Sequence, residues 1–383
     1  MLMSEAFHFI AGLYLSLSVN KTVMPSFFID ADIAKAKTIG ADFYTRQKFY
    51  HEAKEKIFAP SWQIIGDGDK VKESGETYPF VLLENYLDEP LLITKDKQNK
   101  VHCISNVCTH RGNLVVYEPC KLNQLKCRYH GRLFSLDGKF VSMPEFKEVE
   151  NFPTMDDDLH QLPLFTWGKL LFTSLKDQYG ANIFLDEMMQ RVEWFPINDL
   201  QFRADLSKDY YVEASWALYC ENYLEGFHIP FVHAGLNQVL DFGEYTTEVF
   251  RYSNLQLGVG KKGDVCFKLP STSPDYGKEV AAYYFWVFPN MMFNFYPWGL
   301  SVNVVEPLEV SKCRVRFLTY VSDESKLDKG AGSGLNEVEL EDEEVVQNVQ
   351  KGIRSRFYKY GRYSVKREQG THHFHSLLAE FMQ

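Results

Sequence analysis

The sequence lacks the features of a membrane-spanning or nucleic-acid-binding protein. No run of about 18 apolar residues, the length that crosses a bilayer as a helix, occurs in its 383 residues. Basic residues are also too few for a nucleic-acid-binding surface, since the sequence has 41 Lys and Arg against 51 Asp and Glu and a net charge of −10. A nucleic-acid partner requires a basic surface. We therefore expect no membrane segment and no nucleic-acid partner.

Disulfide, ferredoxin and dinucleotide-binding signatures are missing as well. The seven cysteines form an odd, scattered set, which argues against a disulfide framework and for a reducing compartment, here the cytoplasm. There is no C-x4-C-x2-C run of the plant ferredoxin type. Residues 258–263 spell G-x-G-x-x-G, but they lie between two β-type runs and open no predicted helix. We interpret them as a hairpin turn.

Two short loops each combine one cysteine with one histidine. Structural zinc sites more often pair like ligands, so zinc is the alternative and not the first interpretation. A mixed set suits a cluster in which one iron has two sulfur ligands and the other has two nitrogen ligands. The glycine that closes each loop is expected to let the backbone approach the cluster. The loops read Cys108-Thr-His110-Arg-Gly112 and Cys127-Arg-Tyr-His130-Gly131.

The spacing C-x-H…C-x2-H resembles the motif of the Rieske family. The resemblance implies a Rieske [2Fe-2S] cluster held by Cys108, His110, Cys127 and His130. Neutral imidazole ligands raise the reduction potential of such a cluster above that of an all-thiolate ferredoxin.

A second constellation surrounds His228 and His233. Alone, the H-x4-H spacing is a weak signal, and two structural histidines explain it equally well. Five residues do not return a helix to the same face. Pro230 is expected to break the helix and let His233 turn back toward His228. Glu225 precedes His228 by three residues and therefore shares its helix face.

The segment from Asn222 to His233 resembles the iron motif N-[WY]-x-[DE]-x2-H-x4-H of Rieske non-haem iron oxygenases. The resemblance implies an Fe(II) held by His228, His233 and a distant carboxylate, with open positions for O2. The family places that Asp eight residues before Gln-[KR]-Gly, and residues 350–352 point back to Asp342. An acidic helix start is the alternative explanation for this stretch. The rival ligands are Glu341, Glu343 and Glu344.

The resemblance implies an α+β protein with two domains. Residues 62–175 would form a small antiparallel β Rieske domain, and residues 176–383 a helix-grip (START-like) catalytic domain with an antiparallel sheet. Residues 25–61 are expected to be a helical segment that packs with the catalytic domain. Residues 1–24 are interpreted as a doubtful N-terminal extension. In the catalytic domain the pattern predicts helices near 181–193, 212–229 and 341–361, and strands near 245–270, 280–304 and 312–322.

The resemblance also implies partners. A separate NAD(P)H reductase, with or without a ferredoxin, delivers electrons to a homotrimer that uses O2 and a small organic substrate. Within the trimer, Glu225 is expected to bridge His130 of one subunit and His228 of the next, so Glu225 and Asn222 are assigned to the catalytic site. A carboxylate suits this position because it can accept an N–H from a ring on either side.

The substrate is the least constrained inference. Glu225, the segment 288–298 and the tail 350–356 are similar to those of oxygenases acting on quaternary ammonium compounds. Aromatic side chains could hold such a cation by cation–π contact. The alternatives are an aromatic ring-hydroxylating dioxygenase, an oxidative demethylase, and a Rieske electron carrier without oxygenase activity. The histidines of the C-terminal tail, residues 372–375, are expected to pack or face solvent.

Overall fold

The computed structural model describes residues 27–176 and 178–383, and it is a mixture of helices and antiparallel sheets. The predicted α+β class is therefore confirmed. The proposed N-terminal extension, residues 1–24, lies outside the described residues. Within the described part of the chain, no helix has both the length and the apolar character required to cross a bilayer.

The N-terminal helical segment is short and broken. Helices α1 (Asp42–Thr45) and α2 (Gln47–Ala53) are separated by Arg46, which has an extended backbone. A π-helical turn (Lys54–Phe58) continues α2 and ends before Pro60. The segment packs Phe43 and Phe58 against Trp216 of the catalytic region, with ring centroids 6.5 and 4.8 Å away.

Three antiparallel sheets occupy residues 63–173. A five-stranded sheet has the order β5-β2-β3-β4-β9, and two three-stranded sheets have the orders β1-β11-β10 and β6-β7-β8. The strands are β1 (Gln63–Asp67), β2 (Glu76–Leu82), β3 (Glu89–Lys95), β4 (Val101–Ser105), β5 (Cys120–Lys121), β6 (Leu125–Lys126), β7 (Leu133–Phe134), β8 (Phe140–Ser142), β9 (Gln161–Leu162), β10 (Leu164–Trp167) and β11 (Leu170–Thr173). Short 3-10 turns lie at Gly68–Val71 and Met155–Asp157.

The rest of the chain builds one eight-stranded antiparallel sheet. Its order is β12-β19-β18-β17-β16-β15-β14, and β13 also pairs with β19. The strands are β12 (Gln201–Phe202), β13 (Lys208–Val212), β14 (Thr246–Val249), β15 (Ser253–Val259), β16 (Val280–Val287), β17 (Met291–Tyr296), β18 (Gly299–Glu309) and β19 (Lys312–Val321). The helices are α3 (Asn182–Arg191), α4 (Trp216–Tyr223), α5 (Ile229–Val232), α6 (Leu236–Val239), α7 (Leu335–Ile353) and α8 (Gln369–Phe381).

Several predicted bounds need correction. The helix expected over 212–229 is α4 alone, because Leu224 ends it, and the helix expected at 341–361 runs from 335 to 353 instead. Strands β15 and β16 pair antiparallel, as the prediction of a hairpin at residues 258–263 requires. The connection between them, residues 260–279, is long and is not the tight turn that the sequence predicts. No described helix begins there.

The centre of the large sheet is covered on both faces. All six residues of β17 are buried, and so are seven of the eight residues of β16. A strand buried on both sides reads as a continuous apolar run, as Met291–Phe293 does. Polar side chains in such strands need internal partners or a cavity. Asn294, Ser301 and Asn303 meet this need at a cavity between the sheet and α7.

Candidate functional site

The two Cys/His loops have the same backbone hydrogen-bond pattern. The N–H of Cys108 donates to the carbonyl of Asn113 at 2.8 Å, and the N–H of Cys127 donates to the carbonyl of Arg132 at 2.9 Å. Each bond joins a cysteine to the residue five positions later. The structure therefore presents the two loops as matching halves of one site.

The glycines of these loops are required by backbone conformation. Gly112 has φ +69° and Gly131 has φ +77°, the left-handed region that favours glycine. A Cβ at Gly112 would meet no atom within 4 Å. The left-handed backbone conformation is therefore a further reason for glycine at these two positions. Both glycine N–H groups donate to the carbonyl of their own loop's cysteine at 3.0 Å.

The four candidate cluster ligands form two neighbouring pairs, one of thiols and one of imidazoles. The thiols of Cys108 and Cys127 are 2% exposed, whereas His130 is exposed and its ring centroid lies 4.7 Å from that of His110. Sulfur inside and imidazole outside fits a cluster with chemically distinct irons.

Hydrogen-bond donors reach the sulfur atom of Cys127, whereas burial raises the pKa of the Cys108 thiol. Burial raises the pKa of the Cys127 thiol, but the backbone N–H of Tyr129 and the side chain of Asn113 lower it, and the net shift is downward. Nδ2 of Asn113 donates to Sγ of Cys127 at 3.6 Å. Such donors stabilise thiolate, the form that binds metal. These residues fit a [2Fe-2S] cluster.

One acidic residue that the sequence analysis did not single out connects the two loops. Nη2 of the buried Arg132 donates to Oδ1 of Asp157 at 2.6 Å. The carbonyl of Asp157 accepts from Oγ1 of Thr109 in the other loop at 2.8 Å. Asp157 thereby holds both halves of the site to the turn at Met155–Asp157.

The second constellation is built around a single-turn helix. α4 ends at Tyr223, and α5 (Ile229–Val232) begins after a short loop with His228 at its N-cap and His233 at its C-cap. Pro230 lies in the first turn of α5, where its missing N–H does no harm. The proline therefore helps to start a new helix, and it does not break α4 as expected.

Three side-chain atoms converge at this site. Nε2 of His233 lies 3.1 Å from Nε2 of His228 and 3.0 Å from Oδ1 of Asp342, and the third separation is 3.5 Å. Ligand atoms roughly 2.1 Å from one metal ion and about 90° apart lie about 3 Å from each other. The three groups thus fit one face of a metal coordination sphere.

Two carboxylates orient the imidazoles from behind. Oε1 of Glu225 lies 2.7 Å from Nδ1 of His228, and Oε2 of Glu341 lies 2.7 Å from Nδ1 of His233. Each accepts the Nδ1–H and leaves Nε2 free for a metal. Glu341 was expected only as a rival ligand to Asp342, so its place behind His233 is a finding of the structure.

Asn222 contacts the same carboxylate oxygen as His233. Its Nδ2 donates to Oδ1 of Asp342 at 2.6 Å and so connects α4 to α7. The sequence motif brought Asn222 to attention, but not this contact. Glu339 is a further residue of this site that the sequence motifs do not predict. Its position could have indicated it, because it lies three residues before Asp342 and therefore on the same face of α7.

A cavity of about 110 Å³ opens beside the three converging atoms. Its wall combines five tyrosines with amide and hydroxyl groups, and its charged members other than the histidines are all carboxylic acids. The lining includes Tyr219, Asn222, Tyr223, Glu225, Tyr245, Tyr284, Asn294, Tyr296, Ser301, Asn303, Glu339 and Asp342.

Two family models match the chain, and together they include every candidate ligand. The model of the Rieske [2Fe-2S] domain matches residues 61–153, and the model of the ring hydroxylating alpha subunit (catalytic domain) matches residues 197–383. The chain belongs to the Rieske non-haem iron oxygenase α subunits. It is therefore an oxidoreductase that uses a Rieske [2Fe-2S] cluster and a mononuclear iron, with electrons supplied through a reductase.

Individual relatives agree with this family. This oxygenase is 29% identical over 365 residues to the chloroplastic choline monooxygenase of Arabidopsis thaliana, covering 90% of this chain and 83% of the relative. It is 27% identical over 382 residues to the carnitine monooxygenase oxygenase subunit of Escherichia coli (strain K12), covering 94% and 97%.

Solved structures share the fold. The quaternary ammonium Rieske monooxygenase CntA in complex with L-carnitine matches with a TM-score of 0.74 at 23% identity, over 92% of this chain and 97% of that one. Naphthalene 1,2-dioxygenase from Rhodococcus sp. bound to indole matches with a TM-score of 0.67 at 16% identity, over 90% and 94%. The predicted architecture of a Rieske domain with a helix-grip catalytic domain is confirmed.

Proposed function

We propose that this oxygenase inserts one oxygen atom of O2 into a C–H bond of a quaternary ammonium compound. The second oxygen atom leaves as water, and a separate NAD(P)H reductase, with or without a ferredoxin, supplies the two electrons. The observation that carries the proposal is the tyrosine-walled cavity beside His228, His233 and Asp342.

The cavity suits a cation. Tyr223, Tyr245, Tyr284 and Tyr296 line it, and aromatic faces attract quaternary ammonium groups that cannot donate hydrogen bonds. Among the described residues that line it, none is Lys or Arg. Two relatives act on choline and carnitine by name, which supports the same chemistry.

An aromatic hydrocarbon is a weaker candidate. An arene would offer no opposite charge to the carboxylic acids of the lining and no hydroxyl group to Asn294, Ser301 or Asn303. The naphthalene dioxygenase structure shares the fold with this chain and supports no more than that.

We propose specific ligands for the two metal groups. Cys108, Cys127, His110 and His130 would hold the [2Fe-2S] cluster, and His228, His233 and Asp342 would hold the Fe(II). When bound, these groups supply one-electron storage and the activation of O2. Glu225 and Glu341 keep the Nδ1 proton on the two imidazoles, so that each Nε2 remains a lone-pair donor.

We further propose a homotrimer in which Glu225 reaches His130 of the partner subunit. Two features support this arrangement. His130 is exposed, and Phe231, six residues after Glu225 in the chain, is 81% exposed although it is large and apolar. Oε1 of Glu225 accepts one hydrogen bond from His228, and a carboxylate oxygen can accept a second.

The domain division at 25–61, 62–175 and 176–383 and a cytoplasmic location are also proposals. The separate sheets at 63–173 and 201–321 support the division. All seven cysteines lie in the described ranges and none is paired in a disulfide, as expected in a reducing compartment.

Oxygen uptake tests the proposed function. The iron-loaded protein, its cluster and a reductase would be supplied with choline, L-carnitine or naphthalene, and product would be identified by mass spectrometry. Product from a quaternary amine is the expected result. Asp342→Ala should keep the visible spectrum of the cluster and lose iron and product. Product from naphthalene alone would favour the aromatic alternative.

A further inference from the structure

Glu339 is a buried carboxyl group in the wall of the cavity. It lies one helical turn before Asp342 on α7 and is 3% exposed. Its Oε2 accepts a hydrogen bond from the hydroxyl of Tyr219 at 2.5 Å. In the described part of the chain, Oε1 of Glu339 has no hydrogen-bond partner. One half of the carboxyl is therefore satisfied by the protein, and the other half is not.

Two other buried acids of the described chain have cationic partners, and a third, Asp67, accepts hydrogen bonds at both of its oxygens. Asp275 is 1% exposed and is paired with Arg191 and Lys278. Glu306 is 4% exposed and is paired with Arg314 and Arg316. A buried carboxylate without a cation carries a large desolvation penalty.

The surroundings of Glu339 favour its neutral form while the cavity holds no cation. Burial raises its pKa well above the usual range, the Tyr219 hydroxyl lowers it, and the negative charges of Asp342 and Glu343 raise it further. Lys208 lowers the pKa of Glu339 but is exposed and does not line the cavity. A positive charge inside the cavity would supply the partner that the protein does not provide.

We propose that Glu339 is the counter-charge for the ammonium group of the substrate and selects cations that carry no carboxylate. This inference rests on the proposed function and adds a residue that determines specificity. A quaternary ammonium alcohol such as choline would present its cation to Oε1 of Glu339 and to the tyrosine faces. A zwitterion such as carnitine would also bring a carboxylate into a cavity whose described lining includes no Lys or Arg.

Calorimetric titration of the anaerobic, iron-loaded protein with three probes tests the proposal. The probes are choline, L-carnitine, and 3,3-dimethylbutan-1-ol, the uncharged carbon isostere of choline. Wild-type protein should bind choline at least about tenfold more tightly than the isostere or carnitine, because a desolvated charge pair of this kind is strong. Glu339→Gln should lose most of the preference for choline over the isostere and bind the isostere within about twofold of wild type.

Glu343→Gln is the matched control. It makes the same chemical change one turn further along α7, at a half-buried residue that does not line the cavity, and it should keep the preference. Glu339→Asp retains the charge and should also keep a preference for choline over the isostere. Iron content and the cluster spectrum confirm that each variant is folded.

The outcomes separate the two claims. Wild-type binding of choline with an unchanged preference in Glu339→Gln would overturn the role of Glu339 and leave the proposed function standing. Loss of the preference in Glu339→Asp to the same extent as in Glu339→Gln would assign the effect to shape and also overturn it. If wild-type protein binds none of the quaternary amines, the proposed function fails, and the role of Glu339 fails with it.

Discussion

His233 is held by two adjacent residues of one helix, because Nδ1 lies 2.7 Å from Glu341 and Nε2 lies 3.0 Å from Asp342. Neighbouring residues of an α-helix point about 100° apart, so consecutive carboxylates can reach opposite sides of one ring. His233 is 1% exposed, and this arrangement leaves its ring little freedom to rotate. The consecutive acids of α7 therefore have different positions, and we infer different roles.

Removal of Glu341 should weaken iron binding without abolishing it. Glu341→Ala takes away the acceptor behind His233, and the loss of such a partner typically reduces metal affinity by about 10–100-fold. A competition titration of Fe(II) against a chelator measures this change. Glu344→Ala alters an exposed acid of the same helix and should bind iron like the wild type. Equal affinities in both variants would show that Glu341 does not support the ligand.

Replacement of Glu225 should separate iron binding from electron transfer. Glu225→Gln keeps an acceptor near Nδ1 of His228 but removes the charge that the proposed bridge requires. We expect reoxidation of the reduced cluster, in the presence of O2 and substrate, to slow by at least about tenfold at full iron occupancy. Stopped-flow absorbance of the cluster gives this rate. A wild-type rate in an iron-saturated variant would contradict the bridge.

The first cluster loop should resist a methyl group at Gly112 because of its backbone conformation. A Cβ at Gly112 or at Gly352 meets no atom within 4 Å, but only Gly112 has a positive φ, +69°. Gly112→Ala should destabilise the protein by about 1–2 kcal/mol. Gly352→Ala lies in α7 and should be neutral or stabilising by about 0.5–1 kcal/mol. Denaturant unfolding followed by cluster absorbance compares them, and equal effects would refute the conformational argument.

Acid should destabilise the C-terminal helix through His373. Burial lowers the pKa of His373 to about 4, from 6.5 in an unfolded chain. The unfolded state therefore takes up a proton first, so stability is complete above pH 6.5 and falls as the pH drops toward 4. For this half-buried ring we expect a loss of about 1–2 kcal/mol.

The matching experiment compares melting temperatures at pH 7 and pH 4.5 with those of His373→Gln. The decrease on acidification should be smaller in the variant by about 2–4 °C. His51→Gln, at an exposed histidine, serves as the control and should follow the wild type. An identical decrease in all three proteins would show that His373 does not titrate in this way.

Local patterns in the sequence predicted the fold class and the proximity of the proposed ligands. Spacing along the chain predicts Cys108, His110, Cys127 and His130 as ligands, and the structure pairs the two thiols and the two imidazole rings. Other features depend on tertiary contacts between distant segments. Asp157 reaches back to Arg132, a contact that spacing along the chain does not reveal.

The errors in the helix bounds have a similar origin. Leu224 is the C-cap of α4, and the chain then turns into α5, which has His228 and His233 at its two ends. Periodicity alone favours a longer helix. The C-terminal histidines, in residues 372–375, were expected to pack or to face solvent. His375 is buried and lies 2.6 Å from the hydroxyl of Tyr363, so packing explains it as expected.

The convergence of His233 and Asp342 has a further consequence for the whole catalytic region. The two residues are 109 positions apart in the chain, so an ion bound by both closes a very long loop. Such a cross-link disfavours the unfolded ensemble, and binding to the native state alone raises stability with the concentration of free metal. Bound iron would thus be a reversible cross-link between His233 and Asp342. The melting temperature of the purified enzyme would increase with the fraction of protein that carries iron.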